Sequence, residues 1–350
     1  MEFTNILKKE NPDIIHIFGT EFPHSLAAVN AAINAKVLDR TVISIQGIIS
    51  MCARHYFAFL PNKVINSVTL KEIIRNNNLK QQKKSFIKRG KFEIEALKKV
   101  KNVIGRTDWD RACVELINPK INYFKCNEIL RETFYKSTWQ LDQCQKYSIF
   151  VSQSDYPIKG FHLALETLAN ILLEYPEAQL YTTGESPFPQ NIKDKLLLST
   201  YQKYIMTLID KYNLKDKVIF YGKLNGIEMK EAYLKAHVFL SCSSIENSPN
   251  SVGEAMILGM PVVSSDVGGV NNLLEHNKTG FLYQADAPYM AAYYIKKIFS
   301  DNNLTSEITC SAHQSAETIY NVKKNNIDLN KIYELIYKNY KSKIEKDNDI

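Results

Sequence analysis

The sequence predicts an α/β protein built from two doubly wound domains, and three observations carry that expectation. At 350 residues the chain is longer than one ordinary core organises, so two domains are expected. Short apolar runs alternate with longer amphipathic stretches, the pattern of βα units around parallel strands. From residue 148 onward that alternation is regular enough to read unit by unit.

The first domain opens with "DIIHIFG" (13–19) and "TVISIQG" (41–47), two strands ending in glycine. The small-residue helix "HSLAAVNAAINAKVL" separates them, and "KNVIG" (101–105) reads as the next strand. Residues 106 to 145, rich in aromatics and cysteine, read as a connector. The second domain runs strand "YSIFVSQ" (147–153), helix "GFHLALETLANILLEYP" and strand "AQLYTTG" (178–184). Helix "NIKDKLLLSTYQKYIMTLIDKYNL", strand "KVIFYGKL" and helix "NGIEMKEAYLKA" follow. Strand "HVFLSCS" (237–243) leads to a further helix, strand "PVVSSD" and helices to the end. The expected division is therefore 1–147, 148–325, and a C-terminal helix with a Lys-rich tail over 326–350.

Composition bounds the class. Hydrophobic residues make up 45% and charged residues 23%, as in soluble globular proteins. The sequence shows neither a long uncharged apolar run nor a signal-like N-terminus. Six scattered cysteines without a Cys-x-x-Cys pair suit a reducing cytoplasm, the expected location. The net charge of +7 is concentrated in residues 80–101. That stretch reads first as a solvated helix with an apolar underside. The alternative is a basic face drawn to anionic membrane or a phosphate-bearing acceptor, with peripheral placement on the inner face of the membrane. No nucleic-acid partner is expected. Asp, Glu and His residues do not fall at metal-ligand spacing, so neither a metal nor a resident cofactor is expected.

In doubly wound sheets ligands sit beyond the carboxyl ends of the strands, which points to five loops in the second domain. They are 153–160, 184–186, 222–224, 243–251 and 266–269. The first places Lys159 and Gly160 at a helix mouth, where a lysine beside unpaired N–H groups holds a phosphate oxygen. The fourth is "SIENSPNSVGEA". Ser248 followed by Pro249 reads as an N-cap with proline at the first helical position. Glu254 has two readings: one partner of a Ser251–Glu254 capping box, or a carboxylate for sugar hydroxyls. Glu246, just past a near-continuous apolar strand, has no obvious structural partner.

The stretch "SSIENSPNSVGEAMILGMPVVSSDVGGVNNLLEHNKTGFLY" resembles the donor-site signature of retaining GT-B glycosyltransferases of family 4, also called group 1. Glu246 and Glu254 have the family's spacing, and "KVIFYGKL", "EAYLKAHVFLSCS" and Lys159-Gly160 occur in its order. The resemblance covers 148 to about 320 well and the first 147 residues loosely. It implies a GT-B fold, two Rossmann-like domains facing a cleft. It also implies metal-independent, retaining transfer from a nucleotide diphosphate sugar to a glycan or lipid-linked acceptor in surface polysaccharide synthesis. Glu246 would contact the donor sugar, Glu254 the ribose, and Lys159 the diphosphate. Backbone N–H groups of Asn247, Ser248, Asn250, Ser251 and Val252, around Pro249, would hold phosphates and sugar. Gly222, Lys223 and Leu224 would pack on the base.

Three departures from the family pattern stand out. Gln153 occupies the position of a clamp Arg or Lys, and Gln46 that of an acceptor-side His. The family's first βα units are expected to be missing, which leaves the N-terminal domain truncated. Acceptor-side candidates are Glu21 and Gln46, with His16, His24, His55 and Arg106 nearby. Arg106 and Asp108 together admit a second reading, an interdomain ion pair. The rival functions are a non-catalytic nucleotide-sugar-binding paralogue and a GT-B sugar-nucleotide epimerase.

Overall fold

The computed structural model describes residues 2–189 and 191–348. In chain order the helices and strands are α1 (Glu2–Glu10), β1 (Ile15–Phe18), α2 (Pro23–Asn34), β2 (Thr41–Ser44) and α3 (Ile49–His55). Next come α4 (Asn62–Asn66), α5 (Leu70–Arg75), α6 (Leu79–Lys99), β3 (Asn102–Gly105), α7 (Asp108–Ile117) and β4 (Asn122–Lys125). Then follow β5 (Gln145–Val151), α8 (Phe161–Leu172), β6 (Gln179–Thr182), α9 (Ile192–Leu196), α10 (Thr200–Lys211) and β7 (Val218–Phe220). The order continues with α11 (Gly226–Lys235), β8 (Ala236–Ser241), α12 (Asn250–Ile257), β9 (Val262–Ser265) and β10 (Phe281–Tyr283). It closes on α13 (Pro288–Ser300), α14 (Asn302–Ile319) and α15 (Val322–Asn348).

The strands form two all-parallel sheets, β1-β2-β3-β4 and β10-β9-β8-β5-β6-β7. The chain divides into two compact units. One comprises Met1–Arg54, Ser85–Ile129 and Tyr320–Ile350, and the other His55–Lys84 and Leu130–Ile319. This is not the single break at residue 147. Leu60 and Leu79 bury themselves in the core of the second sheet, which draws 55–84 into that unit. Trp139 is tied there as well, donating Nε1–H to the Ala236 carbonyl at 2.8 Å. In the other direction, Ile332 and Ile336 of α15 pack on Val42 and Ile104 of the first sheet. Segment 106–145 is also more than a connector, since it supplies α7 and the edge strand β4.

In the first unit, Ile43 and Val103 of the strands pack with Val29 of α2, Leu97 of α6 and Val114 of α7, while α15 meets other residues of the same strands. The second unit follows the doubly wound plan more fully. Strands β5, β6 and β7 run outward one way and β8, β9 and β10 the other, so the order reverses between β5 and β8. Ligands of such sheets sit at that reversal, beyond the carboxyl ends of the strands. The loops after β5 and β8 are therefore where the site must be sought.

Candidate active site

Two glycines bring the loops at the reversal into contact. Gly160 is left-handed (φ 71°), and a Cβ there would collide with the Cys242 carbonyl just after β8. Only glycine lets the two backbones meet so closely. The Ser244 N–H donates to the Ile158 carbonyl at 2.9 Å and laces the same loops together. Gly268, also left-handed (φ 55°), lies against the Glu246 carbonyl, which accepts the Gly269 N–H at 3.1 Å. The loops after β5, β8 and β9 thus converge on Glu246. On the other side, Ser154 donates Oγ–H to the Thr183 carbonyl at 2.7 Å, and the Gly184 N–H donates to the Gly222 carbonyl at 3.0 Å. All five loops singled out from the sequence form one chain of contacts.

At the centre, Lys159 Nζ donates to Glu246 Oε1 at 2.5 Å, and Ser243 Oγ donates to the same oxygen at 2.6 Å. The lysine side chain is 34% exposed and the glutamate 13%. Two helix starts open beside this pair. α8 begins at Gly160 without a side-chain cap, directly after the short 3-10 turn Pro157–Lys159. α12 begins at Asn250 with Pro249 in the cap position, again without a side-chain acceptor. The expected Ser248 cap is therefore displaced by one residue: Pro249 keeps an extended ψ of 116°, so helical backbone starts only after it. Uncapped helix mouths leave N–H groups and positive dipole ends for an anion.

Glu254 does not form the capping box. It is 5% exposed and does not turn back to cap its helix. Arg131 instead donates Nε and Nη2 to its two oxygens at 2.7 and 2.8 Å. Burial pushes the Glu254 carboxyl above its ordinary range, and the Arg131 hydrogen bonds and charge pull it back only in part. The guanidinium rests 4.7 Å from the centre of the buried Phe134 ring. A Cβ at Gly226 would lie 3.8 Å from Arg131 Nη1, so the arginine reaches the start of α11, two residues past the loop Gly222–Leu224. Sequence reasoning missed Arg131. It stands in the supposed connector, and its partner is 123 residues away.

The remaining candidates of this unit keep their loop positions. Gln153 is half-buried after β5, Lys223 is exposed, and Asn247 and Ser248 are buried beside Glu246. Asn250 is exposed, Ser251 is half-buried, and Val252 is fully buried. His55 is exposed and offers its carbonyl to Ser244 Oγ at 3.0 Å.

The first unit gathers a different set at its strand ends. Glu21 and Gln46 both flank Gly19, where a Cβ would strike the Glu21 carboxylate. Gln46 Nε2 donates to Glu128, and Arg106 Nη1 donates to the other Glu128 oxygen at 2.8 Å. Arg106 Nη2 also donates to the Gln46 carbonyl at 2.8 Å. The ion pair of Arg106 is thus made with Glu128, inside its own unit, and not between domains. A cavity of about 280 Å³ opens beside them, lined by His16, Phe18, Ser44, Arg106, Glu128 and Asn326 among others. His16 meets Tyr333 and Ser44 through its two ring nitrogens, and burial holds its pKa down to about 4. His24 is exposed beside Phe22. Among the described residues, no group of three or more His, Cys, Asp or Glu is placed to hold a metal ion.

Two all-parallel α/β sheets, one with its candidate loops at an order reversal, match the GT-B class of glycosyltransferase folds. A solved structure of Anabaena HepE in complex with UDP shares the fold with a TM-score of 0.68 at 16% identity, covering 95% of this chain and 81% of that one. The family model for glycosyl transferases group 1 matches residues 132–315, and the chain belongs to that family. The YtcC protein of Bacillus subtilis (strain 168) is 28% identical over 183 residues, 51% of this chain and 43% of YtcC. The amylovoran biosynthesis glycosyltransferase AmsK of Erwinia amylovora is 31% identical over 124 residues, 33% of this chain and 30% of AmsK. The matches thus span less than half the length of each of these relatives. Arg131 lies one residue before the family match begins.

Proposed function

We propose that the chain is a retaining, metal-independent glycosyltransferase that moves a sugar from a nucleotide diphosphate donor to a glycan or lipid-linked acceptor in surface polysaccharide synthesis. The observation that carries the proposal is the Lys159–Glu246 pair between two uncapped helix starts, at the order reversal of the sheet. A diphosphate suits that place: it would take the Lys159 ammonium and the helix-mouth N–H groups, releasing Glu246 to accept sugar hydroxyls. Glu254, held by Arg131, would accept ribose hydroxyls on its remaining lone pairs, and the loop Gly222–Leu224 would pack on the base.

The chemistry is a departure of a diphosphate from an oxocarbenium-like centre. Fixed positive groups at the leaving group stabilise the charge that develops there. Retention follows if the acceptor hydroxyl attacks from the face the diphosphate leaves, with the departing phosphate taking its proton. On the acceptor side, Glu21, Gln46 and the Glu128 carboxylate, on the lone pairs left by Gln46 and Arg106, would receive sugar hydroxyls. The biosynthetic role of AmsK supports a polysaccharide acceptor, and the UDP complex of HepE makes UDP-sugars the first donors to test. A peripheral contact with an anionic membrane through residues 80–101 completes the proposal. Of the predicted apolar underside, Phe86, Phe92, Leu97 and Val100, the two phenylalanines are half-buried and Leu97 and Val100 buried, while Lys84, Lys88 and Lys91 stay exposed.

The test is a panel of UDP-, GDP- and ADP-sugars. Thermal shift identifies the donor that stabilises the chain, and radiolabel transfer to acceptor reads the activity. Glu246→Ala is expected to lower transfer by a thousandfold or more on the scale of a lost transition-state contact, roughly 4 kcal/mol. Its melting temperature should be retained. Full transfer by that variant overturns the assignment; donor binding without transfer in the unaltered chain identifies a binding paralogue.

A further inference from the structure

Within the second unit, α5 packs with its polarity inverted. Its carboxylate points inward: Glu72 is 3% exposed and accepts the Thr69 N–H at 2.9 Å, the Thr200 N–H at 2.9 Å and Thr200 Oγ–H at 2.6 Å. These bonds fix α5 to the first residue of α10. Its apolar residues point outward. Leu70, Ile73 and Ile74, spaced i, i+3 and i+4 and hence on one face, are 56%, 65% and 76% exposed. A helix packed only for its own core would turn that face inward.

A second short helix, α9, also exposes apolar side chains. α9 ends four residues before Thr200, and Ile192, Leu196 and Leu197 are 80%, 54% and 52% exposed. Clusters of large apolar side chains in water mark interaction or membrane surfaces. Charge then selects the occupant. From His55 to Lys84 the chain carries six cations (Lys63, Lys71, Arg75, Lys80, Lys83 and Lys84) and one carboxylate, Glu72, which is buried and satisfied. A second copy would bring the same positive face against this one. Anionic headgroups complement it, and apolar side chains ringed by lysines are what an interfacial helix inserts.

We propose that this face docks the chain on an anionic bilayer, with Leu70, Ile73 and Ile74 at the headgroup–acyl boundary and the flanking cations on the headgroups. The proposal goes beyond the donor chemistry. It assigns apolar insertion to α5, with the basic residues at the start of α6 adding attraction only.

The experiment is vesicle co-sedimentation with the full chain. Vesicles of phosphatidylcholine with phosphatidylglycerol should pull it down, and pure phosphatidylcholine should not. The variant L70S/I73S/I74S should bind at least tenfold more weakly with an unchanged melting temperature, since only exposed groups are replaced. The variant K63Q/K71Q/R75Q should also weaken binding and flatten its dependence on salt. Absence of binding to the anionic vesicles, equal binding to neutral ones, or undiminished binding of the triple serine variant overturns the proposal. A dimer in light scattering that the triple serine variant dissolves would assign the face to a second copy instead, and would overturn it too.

Discussion

The strand-end sites of the two units hold their ion pairs in opposite senses. At the second unit's site the carboxylates are inside and the cations outside: the Glu254 side chain is 7% exposed under an Arg131 at 43%, and the Glu246 side chain is 13% under a Lys159 at 34%. In the first unit Arg106 is 6% exposed under a Glu128 at 31%. A mouth that shows cations over buried carboxylates suits a diphosphate, which takes the cations and frees the carboxylates for hydroxyls. A mouth that shows a carboxylate over a buried arginine suits a neutral, hydroxyl-rich acceptor.

The largest expected effect separates groups that hold the fold from groups that meet ligand. His162 is 4% exposed, bonded to Tyr201 and the Ala58 carbonyl, and burial lowers its pKa from 6.5 to about 4. A histidine depressed in the folded state contributes stability that is present above pH 6.5 and lost as the pH falls towards 4. At 1.4 kcal/mol per pKa unit, about 3 kcal/mol disappears across that window. Urea unfolding between pH 7 and pH 4 should show this loss, and His162→Gln should flatten it; an unchanged slope would contradict the assignment.

Next in size is the inverted pairing itself. Arg131→Met leaves the buried Glu254 carboxylate without its bidentate partner and should cost about 3 kcal/mol of unfolding free energy. That variant should also weaken free nucleoside as much as the nucleotide diphosphate in calorimetry. Arg106→Met removes one donor from Glu128, which Gln46 still holds and solvent reaches, together with the bonds to two backbone carbonyls, and should cost about 1 kcal/mol of unfolding free energy. Equal stability losses for the two arginines would erase the contrast drawn between the units. The smallest effect tests the missing clamp: Gln153→Arg should tighten the nucleotide diphosphate by roughly threefold, the yield of one partly exposed charge. Weaker binding would mean that the position does not face the phosphates.

Much of the candidate site of the second unit is legible in the sequence itself. The ends of the five predicted strands locate the five loops, because in a doubly wound sheet the strand ends are the site. Lys159, Glu246 and Glu254 follow from those loops and from the family resemblance. What the sequence hides depends on long-range pairing. Arg131 has no local pattern, since its meaning comes from Glu254. The four-residue edge strand β4, "NYFK", is too short and too exposed to show an alternation. The inverted face of α5 defies reading from "LKEIIR", where the isoleucines would ordinarily be counted as core and the glutamate as surface. The domain boundary is hidden for the same reason. Leu60 and Leu79 look like any apolar residues until the core they enter is known.

One measurement bears most directly on the claim that a diphosphate displaces Glu246 from Lys159. In calorimetry, Lys159→Ala is compared with the unaltered chain for the preferred nucleoside diphosphate and for the free nucleoside. A charge-assisted contact of roughly 1.5 to 3 kcal/mol predicts a 10- to 100-fold loss for the diphosphate, with the nucleoside unchanged within about twofold. Equal losses for both ligands, or no loss for either, would contradict the placement of the phosphates at this helix mouth.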